Sequence, residues 1–228
     1  MVYRRFLIFS FLIIFTIIYG CSENKGSGSN LLDSNGLSKD INDFVPDSLL
    51  HILDSLGMPI NTGDNPPNIE GTFLITPFTM VNTNRVNDNY YIGQVISDFY
   101  VKFSEQNNGK LTVNIDYYNG GEEGNGIGSF IVGDANKFSV FSKLFVTYLG
   151  DSADVLVLFS GSLGSDGLHD MYVANFMVNS YGSYYFINNG EGRIFYDSDG
   201  LSLPTTDIFT KAATFKNSDI NANSAFKR

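Results

Sequence analysis

Leu111-Thr112-Val113-Asn114-Ile115-Asp116-Tyr117 alternates apolar and polar side chains, the period of a β-strand with one face turned inward. Asn107-Asn108-Gly109 just before it has the residues of a hairpin turn. Upstream of that turn, the segment from Val95 to Phe103 places Val95, Phe99, Val101 and Phe103 on one face and Asp98 and Lys102 on the other. Similar runs follow at Phe130 to Val132, Phe138 to Tyr148, Val155 to Phe159, Met171 to Asn179, Tyr184 to Ile187 and Ile194 to Tyr196. Turn sequences such as Gly133-Asp134-Ala135-Asn136 and Asn188-Asn189-Gly190 separate several of them. The pattern predicts an all-β fold, an antiparallel meander of about eight to ten strands in one domain. A barrel and a β-sandwich share nearly the same alternation, so the pattern alone leaves both open. If the alternation is read in register, Phe99, Val101, Val113, Ile115, Tyr117, Val140 and Phe176 form the inward set. A slip of one residue would turn each of them outward.

Before the strands the composition changes. Val45-Pro46-Asp47-Ser48-Leu49-Leu50-His51-Ile52-Leu53-Asp54-Ser55-Leu56-Gly57 carries Leu49, Ile52, Leu53 and Leu56 at helical spacing, and Gly57 and Pro59 stop it. This one short helix is expected to flank the β core, with a loop from Asn61 to Asn68. Ser22 to Asp43 is rich in Ser, Asn, Gly and Asp and reads as a flexible spacer spanning roughly 25 Å. The expected organisation is therefore a leader over residues 1–20, a spacer over 21–43, and a single β domain with its leading helix over 44–228.

The leader has a distinct chemistry. Arg4 and Arg5 precede the apolar run Phe6 to Tyr19, and Gly20 precedes Cys21, the only cysteine. Positive start, short apolar stretch and small residue are the marks of a secretory signal, and the run is short for a membrane anchor. Ile18-Tyr19-Gly20-Cys21 resembles the lipobox of bacterial lipoproteins. The resemblance implies cleavage before Cys21 and lipid on its sulfur and new amino terminus, with each buried methylene contributing about 0.8 kcal/mol to membrane attachment. Ser22 follows the cysteine where some Gram-negative lipoproteins retained at the inner membrane carry aspartate. The expected address is the cell envelope, lipid-anchored, at the outer membrane of a Gram-negative bacterium.

Charge narrows the partners. The chain carries 14 basic and 24 acidic side chains, a net −10, and loss of Arg4 and Arg5 would make the balance more acidic still. Such a charge opposes phosphate backbones, so no nucleic-acid partner is expected. His51 and His169 stand far apart with no cysteine nearby, a poor donor set for zinc. Ser160-Gly161-Ser162-Leu163-Gly164 approaches the Gly-x-Ser-x-Gly elbow of hydrolases but has serine at the first position and no following helix. Asp197-Ser198-Asp199-Gly200 offers oxygen ligands, yet aligned as an EF-hand it would put Phe195 at the first position and Thr206 at the last. A solvated turn is the simpler reading. Glu122-Glu123, set among glycines from Gly120 to Gly126, reads as a mobile loop. No enzyme activity, metal or cofactor is expected.

Aromatic density is the remaining signal: 20 Phe and 13 Tyr, with no Trp. A packed β core accounts for most of these rings, while tyrosines facing away could line a pocket or a sugar-stacking surface. The meander, its leading helix and Gly71-Thr72-Phe73 on the first strand together resemble the lipocalin, or calycin, family. Gly71 and Phe73 stand at the places of that family's Gly-x-Trp motif, with Phe for Trp, and Arg193 stands where a basic residue covers the ring. The resemblance implies a barrel enclosing a small, partly apolar ligand without catalysis, held by the inward set, with tyrosine hydroxyls or Asn side chains fixing its orientation. The other expectation is a β-sandwich display module binding glycans or another envelope protein.

Overall fold

A computed structural model describes residues 31–206 and 224–228; the leader, Cys21 and the first part of the spacer lie outside them. Two short helices, α1 (Lys39–Phe44) and α2 (Asp47–Ser55), precede ten strands. These are β1 (Gly71–Ile75), β2 (Phe78–Thr83), β3 (Phe99–Asn107), β4 (Thr112–Asn119), β5 (Glu122–Asp134), β6 (Lys137–Tyr148), β7 (Asp151–Leu163), β8 (Leu168–Asn179), β9 (Gly192–Asp197) and β10 (Leu201–Pro204).

From β3 to β8 each strand pairs antiparallel with the next in sequence. The far edge of β8 is shared. Its start pairs with β10, His169 opposite Leu201, and its middle pairs with β9, from Tyr172 opposite Tyr196 to Phe176 opposite Gly192. β10 then pairs with β1, β9 with β2, and β1 with β3. β1 and β2 act as one bent stave, turning at the cis Thr76–Pro77 bond. β9 and β10 form another, turning where the Gly200 N–H donates to the Asp197 carbonyl at 2.9 Å. The ring of strands is closed, a barrel and not a sandwich, so the edges that an open sheet would expose are paired.

Closure sets which alternate side chains meet. The inward faces form one buried cluster, dense in rings. Phe99 stacks on Tyr117 at 5.1 Å, Phe78 on Phe195 at 4.6 Å, and Phe103 meets Phe159 edge-on at 5.5 Å. A second cluster lies outside the barrel, where Ile41, Val45 and Leu53 of the helical segment cover Phe141, Leu156, Leu158 and Ile194.

Four expectations change. The strand anticipated from Val95 begins at Phe99, because the chain before it is held to β2 by a lone Thr79–Val95 bridge and leaves Val95 exposed. Tyr184 to Ile187 is a connection rather than a strand, bridged to the C-terminal segment at Phe186–Lys227. Among the described residues there are two helices, not one. The described end of the expected spacer is folded: Ser38 caps α1, its Oγ accepting from the Ile41 N–H at 3.2 Å, and Leu37 and Ile41 are buried. Apolar residues spaced among polar ones anchored that segment once the outer face of the barrel offered a surface. Asn61 fastens the chain after α2, where the expected loop begins. Its side-chain amide donates to the Phe138 carbonyl at 2.9 Å and to Ser160 Oγ at 3.0 Å.

Candidate functional site

Phe99, Val101, Val113, Ile115, Tyr117 and Val140 all lie in the cluster inside the barrel. Phe176 does not; it belongs to the outer cluster, with its β8 neighbours Tyr172 and Ala174. Met171, Val173 and Met177 take the inward places on that strand. Helices cover the outer face of β8, so both of its faces are apolar and the sequence offers no polar stripe to mark the outside. The six inward residues are at most 1 % exposed and are engaged with one another and with neighbouring rings, which leaves them acting as core.

Phe176 instead helps to line a groove on the outside of the barrel, between the helices and β6 to β8. The groove has a volume of about 350 Å³. Phe44 of α1, Leu49 and Ile52 of α2, Leu156 of β7 and Val178 of β8 complete its apolar wall. Helical spacing explains the division of labour along α2: Leu53 turns fully onto the outer wall of the barrel, while Leu49 and Ile52 remain half-buried toward the groove. Lys143 of β6 stands exposed at the margin and makes no ion pair among the described residues. A concave apolar wall with one cation at its rim suits an amphiphile with a negative head. The spacing of Leu49 and Ile52 was visible in the sequence. Their partnership with Lys143 was not, because the pairing of β6 with the helices is spatial.

One end of the barrel holds a different arrangement. Arg193, fully buried, donates Nε to Asp88 Oδ2 at 2.8 Å and Nη2 to Asp88 Oδ1 at 2.5 Å. Its Nη1 donates to the carbonyls of Ala225 (2.9 Å) and Lys227 (2.8 Å), and the guanidinium lies over the Tyr90 ring at 4.4 Å. Burial pushes the Asp88 carboxyl up, but the bonds and charge of Arg193 outweigh it and hold the group below its usual range. Glu122, also fully buried, accepts from Tyr117 Oη at 2.7 Å and from Ser224 Oγ at 2.9 Å. Burial raises its carboxyl to about 7 despite these bonds, one from the Phe226 N–H, and the nearby Arg193 charge. Burial likewise pushes the Tyr117 hydroxyl well above its ordinary value, and Glu122 adds to the shift. Asn119 Oδ1 accepts from the Ala225 N–H at 2.8 Å. Together these groups seat residues 224–228 in the barrel end, with Ala225 and Phe226 buried.

Glu122 is therefore no loop residue. Gly120 and Gly121, both with positive φ, make the turn, and β5 begins at Glu122. Gly124 lies where a Cβ would come within 2.1 Å of the Tyr117 ring, so its glycine reflects close packing in a strand. The ring beneath Arg193 is Tyr90, whereas Phe73 packs near Phe103 at 6.4 Å.

The remaining chemical candidates are ordinary in place. His169 sits on β8 opposite Ser162, but its Nε2 is bonded to Asp166 at 2.7 Å and no hydrogen bond joins it to Ser162. Asp197 caps a turn, accepting from Ser202 Oγ at 2.6 Å, and Asp199 Oδ1 accepts from the Leu201 N–H at 2.9 Å. Among the described residues there is no cluster of His, Cys, Asp and Glu fit to hold a metal. No family model matches the chain, and no curated protein or solved structure is significantly similar to it.

Proposed function

We propose that this protein is a lipid-anchored component of a bacterial cell envelope that binds a small anionic amphiphile without catalysis. Cys21 carries the anchor, and the leader ending at Gly20 directs export, most simply to the outer membrane. The expectation of a small, partly apolar ligand is kept, but its seat moves from the barrel interior to the groove between the helices and β6 to β8. One observation supports that seat above all: an apolar groove of about 350 Å³ bordered by Lys143, which has no ion pair among the described residues. Its size falls within the range of small-molecule sites, about 300–1,000 Å³. Burying the tail against Leu49, Ile52 and Phe176 contributes about 0.8 kcal/mol per methylene, and the lysine favours a carboxylate or phosphate head. In fluorescence titration, a polyene fatty acid binds saturably at one site, and Lys143→Glu weakens it about tenfold while sparing an uncharged alkanol of equal length. Linear, unsaturable uptake by the protein would remove the proposal.

A further inference from the structure

We infer a second binding site, independent of the groove, at the end of the barrel between the β6–β7 turn and the β8–β9 connection: a cleft for a neutral oligosaccharide. An open cleft of about 530 Å³ lies there. Its aromatic walls are Phe145 and Tyr181, which are 53 % and 61 % exposed. Between them lie the polar groups of Asp151, Ser152, Ser180 and Ser183.

Both sides of the cleft are rigidly built. Leu149 and Gly150 have φ of 51° and 94°, the paired positive values of a tight two-residue hairpin turn. Across the cleft, Tyr181 has φ of 49°, a left-handed conformation that strains a bulky side chain. Hydrogen bonds hold it there. The Tyr181 N–H donates to Asn179 Oδ1 at 3.0 Å, and its hydroxyl donates to Asp154 Oδ2 at 2.8 Å. The Ser180 N–H donates to Asn189 Oδ1 at 2.8 Å, and Ser183 Oγ donates to Asp151 Oδ2 at 2.5 Å. The loop is thus fixed with a strained residue presenting its ring to water. Core packing gains nothing from this, whereas a preformed ring platform lowers the ordering cost of binding.

The lining selects the ligand class. A ring face is electron-rich and attracts the polarised C–H groups of a pyranose face. Carboxylates and serine hydroxyls at the ring edges match sugar hydroxyls, which donate and accept. None of the described lining residues is Lys or Arg. Asp151, with Asp154 held by Tyr181 and a net chain charge of −10, repels uronic, sulfated and phosphorylated sugars. The polar floor disfavours an acyl chain.

Saturation-transfer NMR on the full chain in amphipol tests the site with maltotetraose, cellotetraose and chitotetraose, and with tetragalacturonate as the acidic control. Transfer is expected to the C–H protons of at least one neutral tetramer and not to the acidic one. Phe145→Ala and Tyr181→Ala are each expected to weaken that binding about tenfold. Tyr181→Phe, which keeps the ring, and Leu49→Ala, which lies in the groove on α2 and not in the cleft, should leave it within about threefold. Melting curves confirm that each variant is folded. No transfer to any neutral tetramer at millimolar concentration, or transfer undiminished in both alanine variants, overturns the inference.

Discussion

The two halves of the barrel interior are held by opposite means. Toward the β3–β4 turn and the start of β6, Phe103, Phe138 and Phe159 meet edge-on, and little but apolar surface is exchanged. At the other end, Arg193, Asp88, Glu122, Tyr117 and Asn119 converge on residues 224–228 through directional bonds. An aromatic core tolerates any filling of similar volume. A buried charged network tolerates only partners that complete it. The aromatic half supplies stability, and the polar half fixes which segment closes the barrel and how.

Conservative exchanges should break this symmetry. Arg193→Lys keeps the charge but loses the two-pronged contact with Asp88 and at least one carbonyl bond, leaving buried groups without partners. A loss of about 3 kcal/mol or more is expected. Phe138→Leu, at an equally buried site in the other half, should cost about 1–2 kcal/mol because shape changes and polarity does not. Urea denaturation of both variants reads the difference directly, and equal losses would mean that the polar end is no more exacting than the aromatic one.

A comparable effect depends on pH. Glu122 holds its proton more tightly in the fold, with the carboxyl raised to about 7 from an ordinary 4.5. Stability from such a group is present at low pH and is lost as pH climbs from about 4.5 through about 7, by on the order of 3 kcal/mol. Asp197, raised to about 6 by burial first and by Asp199 nearby, slopes the same way over a lower range. Glu122→Gln should therefore flatten the melting temperature between pH 6 and 7 and leave the Asp197 slope below it. An unchanged profile would show that Glu122 is already ionised in the fold at pH 6.

The smallest effect concerns the one inward amide that the polar half leaves out. Asn175 is fully buried on β8, and neither side-chain polar atom has a hydrogen-bond partner among the described residues. Asn175→Leu should stabilise the barrel by about 1 kcal/mol, since an unsatisfied amide is removed and apolar surface is added. Destabilisation would indicate that the amide is satisfied by bound water in solution.

Much of the aromatic half was legible in the sequence, and little of the polar half. Leu111 to Tyr117 announces its inward face because the outward side chains of β4, Asn114 and Asp116, meet water; the alternation is a record of solvent. β8 carries no such record, since the helical segment covers its outer face, and alternation alone therefore puts Phe176 on the wrong side. Glu122 was hidden for another reason. Gly120, Gly121, Gly124 and Gly126 look like a loop in sequence, yet the first two make a turn and the last two make room for Tyr117 and Leu144. Glycine that relieves crowding and glycine that permits a turn are identical in composition. The groove was half legible, through the helical spacing of Leu49 and Ile52, while Lys143 joins them only across the fold.

Native mass spectrometry of the full protein, purified gently from its host, separates an occupied groove from an empty one. One added mass per chain beyond the proposed lipid on Cys21 is expected, released by solvent and identified as an anionic amphiphile, and strongly reduced in Lys143→Glu. A chain that carries no such mass, and takes up none from added fatty acid, would contradict the proposal.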